Sequence, residues 1–190
     1  MTSALLVMDV QVGIVERVPE GSTELLDAIG RAATAARSAG IPVVYVRIAF
    51  RPNGPEISRR NRSFAALANS GTFAMDDDDA ATQVHPAVAP HPEDVVVVKK
   101  RVSAFAGSDL DVLLRSLDID ELVLTGIATS GVVLSTLRYA ADQDFRLAIL
   151  RDGCADGDPE VHRVLMEKVF PRQAEVLTTA EWVQRLSRGE

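Results

Sequence analysis

Six short apolar runs constrain this chain more than any other feature: ALLVMDV (4–10), IPVVYVR (41–47), DVVVVKK (94–100), ELVLTGI (121–127), RLAILRD (146–152) and AEVLTT (174–179). Most are apolar without alternation. That pattern suits strands covered on both faces, as in a parallel sheet flanked by helices. Between and after the runs lie segments with apolar residues at helical spacing: 22–40, 108–117, 132–143, 159–170 and 180–186. The first has a candidate cap at Ser22 and a stop at Gly40. Strand–helix alternation of this kind predicts right-handed crossovers and a doubly wound α/β sandwich. DVVVVKK and ELVLTGI, apolar through their centres, are expected in the interior of the sheet.

At 190 residues the chain fits one domain, 1–190, with a sizeable core. A net charge of −7, with no basic patch interleaved with aromatics, argues against nucleic acid as a partner. No apolar run approaches the roughly 18 residues of a membrane span, so no membrane partner is expected. The single cysteine, Cys154, cannot form an internal disulfide. With no cationic lead before the first apolar run, this predicts a cytoplasmic protein.

Residues 48–93 interrupt the alternation. They hold RPNGPEISRRN, a short helical piece near 63–68, four consecutive aspartates at 76–79, and the proline-rich approach to the third run. The aspartate run reads as a solvated loop face. The whole excursion reads as an active-site lid or an oligomer arm.

In open parallel sheets, ligands sit beyond the carboxyl ends of the strands. Three sets of polar residues reach that edge: Asp9 and Gln11 at the end of the first run, Lys99, Lys100 and Arg101 at the end of the third, and Thr129 and Ser130 after the fourth. A carboxylate ending a buried strand is costly unless paired, which makes Asp9 a candidate general acid or base beside a lysine. Strand parity alone does not choose between Lys99 and Lys100. TGIATSGVVLST (125–136) turns a strand into a helix through small residues, yet offers only hydroxyls as reactive groups.

The stretches LLVMDVQ, KKRVSAFAGSDLDVLLRSLDIDELVLTGIATSGVV and DPEVHRVLMEKVFP together resemble the isochorismatase-like, or cysteine hydrolase, superfamily. The resemblance implies a three-layer αβα sandwich around a six-stranded parallel sheet in the order 3-2-1-4-5-6. By the same analogy the catalytic acid is Asp9 and the lysine is Lys99, which lies four residues before SAF. Laid on GIATSGV, the family's helix-entry motif puts Val132 where the amidase members carry their nucleophilic cysteine. It also implies a cis peptide at Ile127–Ala128 and oxyanion donors at Ala128 and residue 132; Gln11, Thr129 and Ser130, at the same sheet edge, are the candidate substrate contacts.

Valine cannot form a thioester, and Cys154, after the fifth run, reads as a buried structural residue. True isochorismatases, which resemble the amidases in fold, protonate a vinyl ether and let water attack, without a covalent intermediate. They carry glycine where this chain has Val132. The expected activity is therefore vinyl-ether or other thiol-free hydrolysis of a small molecule, with Arg47, Arg51, Arg59, Arg60 and Arg101 available to an anionic substrate. The alternatives are amide hydrolysis through Thr129 or Ser130, and a non-catalytic binding or oligomeric homologue. His85, His91 and His162 lack chelating spacing, so no metal or other cofactor is expected. As family members commonly do, the chain is expected to form a homodimer or higher homo-oligomer.

Overall fold

The computed structural model describes residues 2–18, 22–69 and 75–189. The elements run in chain order: β1 (Ser3–Met8), α1 (Val12–Val15), α2 (Ser22–Ser38), β2 (Val43–Ile48), α3 (Arg62–Asn69), β3 (Val95–Lys99) and α4 (Leu110–Ser116), then β4 (Glu121–Ile127), α5 (Leu134–Asp142), β5 (Arg146–Ala155), α6 (Pro159–Val164), β6 (Glu175–Leu177) and α7 (Thr179–Arg188). The six strands pair in parallel in the order β3-β2-β1-β4-β5-β6. The α/β sandwich and strand order expected from the sequence are those observed.

Side chains alternate across the pleat, so the central strands feed two cores. Leu5, Val7, Val43, Tyr45, Val123 and Leu150 pack on one face against Leu25, Ile29, Ala32 and Ala36 of α2 and Trp182 of α7. Leu6, Met8, Val46, Leu122, Leu124 and Ile149 pack on the other against Leu110 and Leu114 of α4 and Leu137 and Ala140 of α5. Burying each such leucine or isoleucine contributes about 1.5–3 kcal/mol. Two-sided burial is why the central runs are apolar throughout. Gly40 ends α2's turn at φ 71°, as the sequence predicts.

One expectation fails. β3 is an edge strand, and Val95 and Val96 are 37% and 42% exposed. Only its distal half is covered, at Val97 and Lys99. Four valines in a row register β-propensity, not neighbours, so the run does not distinguish an edge from an interior strand.

Gly126 marks the tightest strand contact. Its φ is 144°, and a Cβ there would lie 2.2 Å from the Met8 carbonyl oxygen. Only glycine lets β4 approach β1 so closely, directly before the turn that follows.

The excursion builds a small core of its own from Ile48, Phe50, Phe64 and Met75, with Phe50 and Phe64 edge to face at 5.6 Å. Phe50 N donates to Met75 O at 2.8 Å, closing the path back to β2. The aspartate run is tied in locally: Asp77 pairs with Arg47 at 2.7 Å, and Asp79 Oδ2 accepts from Asp76 N at 3.2 Å. Residues 70–74 of the excursion lie outside the described residues. No helix among the described residues is long and apolar enough to cross a membrane.

Candidate active site

β1 ends at Met8, and the next residue turns into a backbone conformation that L-residues seldom adopt: Asp9 has φ 56°. Its N–H donates to Val46 O at 2.7 Å, which anchors the residue to β2 while the chain leaves the sheet. Such a geometry costs of order 1–3 kcal/mol and persists where the surroundings enforce it. Here it accompanies a carboxylate that is only 6% exposed.

Lys99 closes β3, paired in register with Ile48. Its Nζ lies 2.8 Å from Asp9 Oδ2, and the side chain is buried. Lys100 points elsewhere and donates to Ala49 O at 2.7 Å. The structure thus decides which lysine meets Asp9. Lys99 Nζ also donates to the carbonyls of Arg101 at 3.0 Å and Val102 at 2.9 Å. An ammonium has three protons, so all three are committed.

Asp9 Oδ1 is buried and has no hydrogen-bond partner among the described residues. Burial raises the Asp9 pKa above the ordinary carboxylate value, and the charge and hydrogen bond of Lys99 only partly offset this. The result is a carboxyl group with one oxygen clamped by Lys99 and the other without a partner, its pKa raised by burial.

The Ile127–Ala128 peptide is cis, as the resemblance implies. A π-helical turn, Thr129–Val133, then leads into α5, with Gly131 N and Val133 N both donating to Ala128 O. Thr129 is fully buried, and its hydroxyl lies 2.8 Å from His162 Nδ1. Ser130 is exposed, and its N–H donates to Asp156 Oδ2 at 2.7 Å. Val132 is 2% exposed and belongs to the core that includes Ala104, Phe105 and Leu137. One turn on, Thr136 Oγ1 accepts from Ala104 N at 2.9 Å and ties the 100–108 loop to α5.

Gln11, expected from the sequence at the substrate, is otherwise engaged. Its Nε2 donates to Ile48 O at 2.9 Å and Thr82 O at 2.7 Å, and its Oε1 accepts from Ile48 N at 2.8 Å. Both amide protons are spent on backbone, so the side chain staples the excursion to β2 and has no donor left for an oxyanion. Arg47 and Arg51 are likewise committed, to Asp77 and Glu56, and Arg101 Nη1 donates to Lys100 O at 2.6 Å.

Cys154 is buried, and desolvation pushes its thiol up to about 12, so it is not a ready thiolate. His162 is half-buried. Burial holds its imidazole below the ordinary histidine pKa; Asp156 opposes the shift, and Arg151 adds to it. The roles of His162, Asp156 and Thr136 around the turn are not visible in the sequence. Each joins segments 26 to 33 residues apart through a single contact.

The Isochorismatase domain matches residues 3–181. The chain is 31% identical over 188 residues to the uncharacterized isochorismatase family protein YecD of Escherichia coli O157:H7, covering 97% of this chain and 96% of that one. It is 32% identical over 190 residues to the ureidoacrylate amidohydrolase RutB of Methylobacterium radiotolerans, covering 88% and 73%. Among solved structures, a cysteine hydrolase from Pseudomonas syringae pv. phaseolicola 1448A superposes with a TM-score of 0.88 at 26% identity, covering 99% and 93%. With the matching domain spanning nearly the whole chain and a relative of this similarity along its full length, the protein belongs to the isochorismatase family of hydrolases.

Proposed function

We infer that this protein hydrolyses a small molecule by acid catalysis from Asp9, with water as the nucleophile and without a thiol intermediate. The observation that carries this reading is the Asp9 carboxyl: Oδ2 is held by Lys99, while Oδ1 is buried and unpartnered in a group whose pKa burial raises. A vinyl ether meets that chemistry. Asp9 gives its proton to the vinyl carbon, and the resulting oxocarbenium ion is attacked by water. The water's proton returns to the carboxylate, and the hemiketal collapses to a carbonyl compound and an alcohol. Lys99 has no spare proton, so it acts on the reaction only through Asp9. Backbone N–H groups of Ala128 and Val132, at the head of the π-helical turn, are the proposed donors to the alkoxide oxygen that leaves as the hemiketal collapses.

Val132 stands at the position the family's amidases give to cysteine, and its burial in the core supports a route that needs no nucleophile there. The test is a panel of small enol ethers, amides and ureido acids, followed by comparison of Asp9→Asn with Cys154→Ser. Turnover should vanish in the first and survive in the second. Undiminished turnover in Asp9→Asn would sink the reading.

A second reading rests on the 2.8 Å Thr129–His162 contact and on similarity to a named amidohydrolase: amide hydrolysis through a hydroxyl. Complete burial of Thr129 weighs against it. It requires that Thr129→Val abolish amide turnover. In either case we take the working form to be a homodimer or higher homo-oligomer, which light scattering at working concentration tests directly.

A further inference from the structure

At the carboxyl end of β5, a pocket of about 460 Å³ is lined by Arg31 of α2, Arg151 of β5 and His162 of α6, with Leu25, Cys154 and Ala155 supplying apolar surface. Sheet order puts β4 between β1 and β5, so this pocket sits two strand spacings, about 10 Å, from the strand that carries Asp9. Neither Asp9, Lys99 nor Val132 lines it. We propose that it is a second binding site, one that takes a small monocarboxylate with a short hydrocarbon body: Arg31 and Arg151 hold the carboxylate, and Leu25, Cys154 and Ala155 hold the chain.

Among the described residues, neither guanidinium has a hydrogen-bonded or ion-paired acceptor, and Arg151 is attracted to Glu181 only at longer range. Each therefore presents a full set of planar donors matched to a carboxylate. Three carboxylates also line the pocket, but two are already engaged as acceptors. Asp152 Oδ1 accepts from Thr179 N and Oγ1 at 2.7 and 2.9 Å, and Asp156 accepts from Ser130 N and Asp158 N at 2.7 and 3.3 Å. The third, Glu24, is exposed. The pocket thus has donors to spare. The buried Leu25 and Cys154 favour a ligand with apolar atoms over a bare inorganic anion such as phosphate.

His162 supplies the readout. Its Nδ1 is held by Thr129, its ring lines the pocket, and Arg151 already acts on it electrostatically. The chain has three histidines, so His162 is assigned in imidazole nitrogen spectra by its loss in His162→Gln. Sodium butyrate is titrated at constant ionic strength, with sodium chloride and the neutral isostere butyramide as controls. The same titration is run on Arg151→Gln and on the double variant Arg31→Gln/Arg151→Gln. Both arginines are exposed, and circular dichroism verifies that the variants fold. Butyrate should shift the His162 signal saturably, and the double variant should bind at least about tenfold more weakly, the loss expected for one charge-assisted hydrogen bond. An absent or unsaturable shift, an equal shift with butyramide or chloride, or undiminished affinity in both variants overturns the proposal. The outcome does not depend on Asp9 chemistry.

Discussion

Lys99 Nζ sits 2.8 Å from Asp9 Oδ2 and gives its remaining protons to the carbonyls of Arg101 and Val102. The lysine is thus a fully coordinated post that fixes one carboxylate oxygen and leaves the other open. Removing one member of a buried pair costs about 3–5 kcal/mol, because the survivor is left uncompensated. Lys99→Met should therefore be strongly destabilised in urea unfolding.

The same variant has a signed pH dependence. Burial raises the folded pKa of Asp9 above its ordinary 3.8, and Lys99 is the main influence lowering it. A raised folded pKa contributes stability below the unfolded value, and that contribution is lost as pH rises through the folded value. In Lys99→Met the lowering influence is gone, so the folded pKa climbs further. Its stability should fall more steeply than the wild type's as pH rises from 4 toward neutrality; parallel curves would contradict the assignment.

Gln11→Ala removes three hydrogen bonds that join α1, β2 and the excursion. It strands the Ile48 N–H and two carbonyls, a cost of about 1–3 kcal/mol for each buried group left unsatisfied. Hydrogen exchange should accelerate at Ile48 and around Thr82 while the α2-facing core keeps its protection. Any loss of activity should follow loosening of the excursion, and Gln11→Glu should not restore it, because a carboxylate cannot donate to Ile48 O and Thr82 O.

Gly126→Ala should not yield a native protein. Its Cβ would lie 2.2 Å from Met8 O, a backbone atom that cannot move without opening the β1–β4 ladder. A folded variant with an unshifted melting transition would refute this contact.

Cys154 should resist iodoacetamide at pH 8, because desolvation pushes its thiol up to about 12. Val132→Cys in a Cys154→Ser background should react faster, since a thiol at the start of a helical segment gains from the free N–H groups there. Equal, slow labelling of both would mean that position 132 is as closed to reagents as position 154.

The sequence by itself determined the layers of this protein. Six runs without alternation demand cover on both faces, and the helical stretches between them supply it, so the α/β sandwich follows from local periodicity. Asp9 was legible for a related reason: a carboxylate closing a buried strand stands out against its own neighbours. Local pattern does not report which remote segment lies alongside. Four consecutive valines in β3 look interior and lie at the edge. Lys99 and Lys100 are equivalent by composition until the register of β3 on β2 turns one toward Asp9 and the other toward Ala49. Gln11 at the end of β1 looks like a substrate ligand until the returning excursion offers two carbonyls and an amide that consume its side chain. Thr129 and His162 meet across 33 residues. Hydrogen bonds and ion pairs reach only about 3 Å, so their partners are set by how distant segments pack, and only the tertiary structure decided them.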